Sequence, residues 1–129
     1  MFSHVMLGAD DIAAAKRFYD ATLGVLGAPE GVVDAAGRLV YSYNGARFLI
    51  SKPINGEPAT YANGATLGFA MESPEQADAW YAAGLAHGGT AIEDPPGIRN
   101  VPVGKVYLAY LRDPTGNKLC ARHLDLRLF

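Results

Sequence analysis

The chain has 129 residues, of which 50% are hydrophobic and 19% are charged, and its formal net charge is −2 at pH 7. This length and composition predict one compact domain with a substantial core. The weak net charge and the lack of a basic run argue against a nucleic-acid partner. No stretch is apolar for long enough to cross a bilayer, and the sequence does not start with a signal segment. A single cysteine, Cys120, excludes an internal disulfide, so we expect a cytoplasmic protein without a membrane partner.

The first half of the chain predicts a strand, a helix and three further short strands. A β-rich run at residues 2–7 is followed by an Asp-Asp pair at 10–11 that is suited to cap a helix. The helix ends at Gly24, and its apolar stripe contains Ile12, Ala15, Phe18, Tyr19 and Leu23. An Asn-Gly pair at residues 44–45 indicates a β-hairpin. The other strands are predicted at residues 32–33, 38–43 and 47–52.

The second half follows the same order after a connector, residues 53–64, that is rich in proline, glycine and asparagine. A strand at residues 65–71 leads to Ser73 and Pro74, which suit the N-cap and the first position of a helix. The buried stripe of this helix is predicted to contain Ala77, Trp80, Tyr81 and Leu85. The remaining elements are strands at residues 90–93, 105–111 and 117–123, a loop at 94–104 and a turn at 113–116.

An internal repeat relates the two halves. Residues 4–19 and 66–81 share a strand, a capping turn and a helix that carries an aromatic pair. A chain built from two similar halves tends to fold with pseudo-twofold symmetry. We therefore expect a single domain composed of a βαβββ module at residues 1–52, a linker at 53–64 and a second βαβββ module at 65–129.

The repeat nominates four positions for a functional site. It aligns His4 with Thr66 at the first strand of each half. Aligning the turn glycines at positions 45 and 116 sets Leu49 beside Cys120 at the last strand of each half. Because equivalent side chains of two symmetric modules face one another, we expect these four side chains to lie at the cavity between the modules.

With this repeat and these motifs, the chain resembles the vicinal oxygen chelate superfamily, which includes glyoxalase I, the fosfomycin-modifying enzymes, bleomycin resistance proteins and extradiol dioxygenases. The resemblance covers nearly the whole chain. Its marks are Ser-His-Val at residues 3–5, Phe-Tyr at 18–19, Leu-Gly at 23–24, Gly-Ala-Thr-Leu-Gly-Phe at 64–69 and Asp-Pro-Thr-Gly-Asn at 113–117. It implies an α+β fold in which two βαβββ modules form a pseudo-twofold cavity around a divalent metal.

The resemblance also implies where metal ligands would fall, namely on the first and last strand of each half. His4 matches a usual ligand, whereas Thr66 stands where a histidine is common and Cys120 where a glutamate is common. Leu49, at the fourth position, has no donor atom. We therefore expect no metal cofactor at these vestigial positions. A weak site for zinc, nickel, manganese or iron stays open, because His4 and Cys120 are both zinc donors.

Seven residues are candidates for contact with a ligand: His4, Tyr41, Tyr43, Thr66, Arg99, Tyr110 and Cys120. Histidine titrates near neutral pH, so His4 is a candidate acid or base, and Cys120 is a candidate nucleophile. Tyrosine rings suit a flat or amphipathic ligand, and Arg99 lies in the long predicted loop. The alternatives are a histidine and a cysteine packed in the sheet, tyrosines in ordinary core packing and an arginine in solvent.

Three functions are compatible with these observations. The first is a glyoxalase-like protein that binds a small organic molecule between its modules without the usual divalent metal. The second is a metal-dependent lyase of the glyoxalase type, or a glutathione or thiol transferase of the resistance type. The third is a structural or interaction module, since exposed strand edges offer a route to a homodimer. We expect a homodimer in each case.

Overall fold

The computed structural model describes residues 1–102 and 104–124. The first half contains β1 (Val5–Gly8), α1 (Ile12–Val25), β2 (Val32–Val33), β3 (Leu39–Tyr43) and β4 (Ala46–Ser51). The second half contains β5 (Leu67–Ala70), α2 (Pro74–Ala86), β6 (Thr90–Ala91), β7 (Gly97–Val101), β8 (Gly104–Arg112) and β9 (Lys118–His123). The end of the predicted second module, residues 125–129, lies outside the described residues. Within the described part, neither helix has the length and apolar character needed to span a membrane.

Each half of the chain forms one sheet and one helix, which confirms the predicted α+β class. Sheet A has the strand order β1-β4-β3-β2, and sheet B has the order β5-β9-β8-β6, with β7 also paired to β8. In both sheets the first strand runs parallel to the last, with Val5 opposite Phe48 and Leu67 opposite Leu119. These are the pairs that the sequence repeat aligns, so the registers of the two sheets correspond.

The prediction of a loop at residues 94–104 is wrong in part, because β7 lies within this segment. This strand pairs antiparallel with β8, with Ile98 opposite Tyr107 and Asn100 opposite Lys105. The prolines that flank the segment indicate a loop, and the strand owes its existence to pairing with β8. Strand formation depends on such neighbours more than on intrinsic preference.

Both helices begin at caps that the sequence predicts. The Asp11 carboxylate accepts a hydrogen bond from the backbone N–H of Ala14 at 2.9 Å. The Ser73 hydroxyl accepts one from the N–H of Gln76 at 3.0 Å, and Pro74 follows it at the start of α2. Each cap satisfies a backbone donor that has no partner within its own helix.

The buried stripe of α2 differs from the predicted one. Leu85 is 43% exposed, and Ala77, Trp80 and Gly84 are the buried residues of the helix. Successive residues of a helix are rotated by about 100°. The stripe is centred on Gly84, where the missing side chain lets the helix approach β8, and Leu85 is therefore turned to the side.

One hydrophobic core lies between the helices and the inner faces of both sheets. The rings of Phe48 in β4 and Phe69 in β5 meet in it at a centroid distance of 5.8 Å and join the two sheets. Side chains alternate along a strand, so the residues between these core positions point to the opposite side of each sheet. We call that opposite side the outer face.

The turn at residues 113–116 joins the two halves through a buried carboxylate. One oxygen of Asp113 accepts three hydrogen bonds from backbone N–H groups of its own turn, at 2.9 to 3.0 Å. The other accepts the Tyr19 hydroxyl of α1 at 2.6 Å and the Asn117 amide at 2.9 Å. That amide also donates to the carbonyl of Gly8 at 3.0 Å. The Asp-Pro-Thr-Gly-Asn motif therefore fixes the turn against α1 and β1.

Candidate functional site

The outer face of sheet B carries a small apolar cluster. Val106, Leu108 and Cys120 are buried there, with exposures of 1%, 6% and 6%. Val101 and Tyr110 pack against them. A flat sheet face would leave these side chains open to solvent, so we infer that the sheet curves around them. We call these five residues the outer cluster.

The same face carries four cations: Arg99, Arg112, Lys118 and Arg122. Arg99 is paired with Val106, and Arg122 is paired with Leu108. Lys118 lies two residues before Cys120 on β9 and is paired with Arg112 on β8. Because paired residues and alternate residues share a face, the four cations surround the outer cluster.

Lys118 contacts the one aromatic ring of the outer cluster. Its ammonium group forms an ion pair with the carboxylate of Glu93. The same group lies 5.1 Å from the centre of the Tyr110 ring, which is the geometry of a cation–π contact. Glu93 therefore offsets one of the four positive charges and holds Lys118 over the tyrosine.

The three arginines of this face are held by other groups or are open to solvent. Arg99 donates two hydrogen bonds of 2.9 Å to the backbone carbonyls of residues 94 and 95. Arg112 donates to the carbonyl of Gly116 at 2.7 Å and lies 4.8 Å from the centre of the Tyr61 ring. Arg122 is exposed. Within the described ranges no carboxylate forms an ion pair with any of these arginines.

Burial determines the protonation of the two polar groups in the outer cluster. Removal from water raises the pKa of the Cys120 thiol, although a hydrogen bond with Tyr110 and the charges of Arg122 and Lys118 act in the opposite direction. Burial also raises the pKa of the Tyr110 hydroxyl, and the nearby Cys120 and Glu93 raise it further. Both groups are therefore neutral at pH 7. A protonated thiol is a poor nucleophile.

A groove of about 280 Å³ lies between β1 and β5, at the edges of the two sheets. Met6 and Gly8 line it from β1, and Thr66 and Lys118 line it from sheet B. A second hollow of about 160 Å³ shares Thr66 and Lys118 with the groove and continues to Arg112. We call the two together the edge groove. The edge groove is therefore lined by β1 of the first module at one end and by the cations Lys118 and Arg112 at the other.

The structure brings four of the seven predicted ligand-contact residues to sheet B. Arg99, Tyr110 and Cys120 lie on its outer face. Thr66 directly precedes β5 and lines the edge groove. His4 is exposed and precedes β1. Its Nδ1 lies 2.8 Å from the Ser3 hydroxyl, and it does not line the edge groove.

The other two predicted contact residues, Tyr41 and Tyr43, lie on the inner side of sheet A. The Tyr41 hydroxyl donates to Asp20 at 2.7 Å, and the Tyr43 hydroxyl donates to the carbonyl of Leu26 at 3.0 Å. These two tyrosines lie on the core side of sheet A, whereas the outer cluster lies on the far side of sheet B, so sheet B separates them from it.

The four symmetric positions do not provide a ligand set for a divalent ion. Leu49 is buried opposite Met6 and offers no donor atom. Cys120 is packed in an apolar cluster, Thr66 offers only a neutral hydroxyl, and His4 is exposed and does not line the edge groove. Within residues 1–102 and 104–124 no group of three His, Cys, Asp or Glu side chains is placed to hold a metal ion. Hard cations and zinc both require more donors than these positions supply.

The seven predicted contact residues leave out several residues of the site, including Arg122 and the aliphatic side chains of the outer cluster. Lys118 and Arg112 carry much of its charge, and Met6 lines the edge groove from the first module. Lys118 could be found from sequence, because it shares strand parity with Cys120. Arg112 and Met6 depend on which strands pair and which sheet edges meet, and no local pattern reports that.

Comparison with known proteins gives the fold and the family. The model of the Glyoxalase/Bleomycin resistance protein/Dioxygenase superfamily matches residues 1–121. A glyoxalase/bleomycin resistance protein from Albidiferax ferrireducens T118 is 58% identical, with a TM-score of 0.92 over 96% of this chain and 99% of that chain. No curated protein shows significant similarity.

Two more distant structures share the fold alone. A glyoxalase-related enzyme from Fulvimarina pelagi is 20% identical, with a TM-score of 0.73 over 96% of this chain and 88% of that chain. A lactoylglutathione lyase from Agrobacterium tumefaciens is 23% identical, with a TM-score of 0.66 over 95% of this chain and 92% of that chain. The match over residues 1–121 and the 58% identity place the chain in a family. It belongs to the glyoxalase/bleomycin resistance protein/dioxygenase superfamily.

Proposed function

We propose that this protein binds a small organic anion with an apolar body, on the outer face of sheet B and in the edge groove, without a divalent metal. One observation carries the proposal: an apolar cluster is surrounded by four cations and only one of them, Lys118, forms an ion pair with a carboxylate among the described residues. The chain as a whole has a net charge of −2, so this face differs from the average surface.

The two parts of the face suit the two parts of such a ligand. The outer cluster offers Tyr110 and aliphatic side chains, which gain free energy when they cover an apolar body. The arginines offer planar donors that match carboxylate, sulfonate or phosphate oxygens. Ion pairs beside an apolar surface are less screened by water than ion pairs on an open surface. The charge therefore contributes to affinity as well as to orientation.

The absence of a suitable ligand set at the symmetric positions supports the metal-free part of the proposal. Buried Leu49 has no donor atom, and Thr66 offers only a neutral hydroxyl where the family resemblance implies a histidine. The family's more usual role, a lyase of the glyoxalase type or a thiol transferase, would need a reactive group at one of these places. Turnover of the hemithioacetal of methylglyoxal and glutathione, stimulated by added zinc or nickel, would favour that alternative.

A pair of fluorescent probes tests the anion preference. Anilinonaphthalenesulfonate and N-phenylnaphthylamine share an apolar body, and only the first carries a negative charge. We expect the sulfonate to bind saturably at one site, at least about tenfold more tightly than the neutral amine. Its affinity should fall when the salt concentration rises. Fluorescence titration at low and high ionic strength measures both effects.

Charge-removing variants identify the face that binds the probe. Arg122→Gln and Lys118→Gln should each weaken sulfonate binding by about three- to tenfold. Arg17→Gln removes an exposed cation of α1 and serves as the matched control, with no change expected. Equal affinity for the two probes, or equal loss in all three variants, would contradict the proposal. Unchanged circular dichroism and melting temperature exclude binding to an unfolded form.

We also propose a homodimer in the cytoplasm. The edge strand β2 of sheet A exposes Val32 and Val33, with exposures of 66% and 48%. An apolar edge strand presents unpaired backbone groups and favours association with a second chain. The single cysteine is buried and reduced, which suits a reducing compartment.

A further inference from the structure

An apolar cavity lies on the inner side of sheet A, apart from the outer cluster and the edge groove. Its volume is about 160 Å³. Leu23 and Leu26, at the end of α1, form one wall, and Tyr41 and Phe48 of sheet A line it from the strands. Phe69 of β5 also lines it, so both halves of the chain contribute.

Small residues leave this space open where α1 ends. The helix stops at Val25, and Gly27, with a φ of 98°, takes a backbone conformation that favours glycine. A Cβ at that glycine would lie only 2.9 Å from the Tyr43 hydroxyl, so the chain passes close to the hairpin. Ala28 and Ala46 also line the cavity, and each contributes a single methyl group.

The polar atoms of the lining side chains are already satisfied. The Tyr41 hydroxyl donates to Asp20 at 2.7 Å, and the Tyr43 hydroxyl donates to the Leu26 carbonyl at 3.0 Å. The other lining side chains are hydrocarbon. The cavity opens to solvent at Tyr43 and Ala46. A charged or strongly polar group placed inside it would lose its hydrogen bonds to water and gain none in return. An apolar ligand would only lose contact with water, which is favourable.

We infer that this cavity binds one uncharged aromatic ring. Its volume is close to that of an engineered apolar cavity of about 150 Å³, in another protein, that holds benzene. The lining rings already pack against one another, Tyr41 on Phe48 at 6.3 Å and Phe48 on Phe69 edge to face at 5.8 Å. A ligand ring extends this arrangement with further edge-to-face contacts. A volume of about 160 Å³ is enough for one such ring.

Fluorine NMR of fluorobenzene tests this inference directly. We expect saturable binding with a dissociation constant of about 1 mM or below, the range for a good ligand of so few atoms. Amide shifts in the protein should change at residues 23–28, 41–48 and 69, and not at the outer cluster. Fluorobenzoate has the same ring and a negative charge, and it should bind this cavity at least about tenfold more weakly.

A cavity-filling variant provides the control. Ala46→Leu should weaken fluorobenzene binding at least about tenfold, whereas Ala82→Leu, on the exposed side of α2, should leave it unchanged. Ala28→Leu replaces the first variant if Ala46→Leu fails to give dispersed amide signals. Binding of anilinonaphthalenesulfonate should be the same in all three variants, so failure here is separate from failure of the proposed function.

Three results would overturn the inference. The first is the absence of saturable fluorobenzene shifts in the wild-type protein. The second is equal binding by the wild-type protein and a folded filling variant. The third is self-association of the wild-type protein that Ala46→Leu abolishes, which would assign the cavity to a side chain of a second copy of the chain.

Discussion

Replacing Asp113 by alanine is expected to lower the free energy of unfolding by about 3–5 kcal/mol, the cost of removing one partner from a buried charged network. The carboxylate is buried and accepts five hydrogen bonds, two of them from side chains. Without it, the Tyr19 hydroxyl and the backbone N–H groups of Thr115 and Asn117 lose their acceptor. The N–H of Gly116 keeps the main-chain carbonyl of residue 113. Burial and the neighbouring carboxylate hold the pKa of Tyr19 well above its usual range, so this hydroxyl stays a donor at all ordinary pH values. Urea denaturation monitored by circular dichroism measures the loss.

Asp34 provides the matched control for this prediction. It begins a turn with the same backbone hydrogen bonds, and its carboxylate accepts the N–H groups of Ala36 and Arg38. Its turn is exposed, so water can solvate the amides that Asp34→Ala leaves free. We expect a much smaller change than for Asp113→Ala. Similar losses in the two variants would mean that the turn alone, and not its link to α1 and β1, gives Asp113 its importance.

Adding a methyl group at Gly84 is expected to destabilise the fold by about 1–3 kcal/mol, the usual cost of overpacking a core. A Cβ at this position would lie 2.2 Å from Cδ1 of Leu111 and 3.2 Å from the ring of Phe18. Either α2 must move away from β8 or these side chains must leave their positions. Alanine favours a helix by about 1 kcal/mol over glycine, so the clash must exceed that gain. Thermal and urea denaturation of Gly84→Ala measure the net effect.

Gly24 in α1 is the matched control, because it is exposed and a Cβ there would meet nothing within 4 Å. Gly24→Ala should therefore stabilise the protein by about 0.5–1 kcal/mol through helix preference alone. Opposite signs for the two substitutions are the expected result. A stabilising effect at both positions would show that α2 can shift away from β8 without loss.

Local sequence patterns are sufficient to predict much of the fold. Asp11 and Ser73 cap their helices as predicted, and the repeat aligns the residue pairs that meet across the parallel strands. These features depend on a few neighbouring residues or on similarity between the halves. Strand β7 and the packing role of Gly84 depend on contacts with β8, so the sequence pattern indicated a loop and a buried Leu85 in their place.

Fewer residues of the candidate site can be predicted from the sequence. Alternation along β3 puts Tyr41 and Tyr43 on a common face, but which face meets the helices is set by the packing of α1. Alternation along β9 groups Cys120 with Lys118, whereas Tyr110 joins them because β8 pairs with β9. Arg112 and Met6 enter the site only because β8 pairs with β9 and the edge of β1 approaches β5. Residues that meet through tertiary contacts leave no local pattern in the chain.

The dependence of anilinonaphthalenesulfonate binding on divalent metal tests the central claim most directly. The titration is made on one preparation after treatment with a chelator and again with zinc, nickel or manganese added in excess. We predict the same dissociation constant under all conditions, because the arginines and Lys118 hold the anion and no metal takes part. Loss of binding in the chelator, restored by one equivalent of metal per chain, would contradict the account.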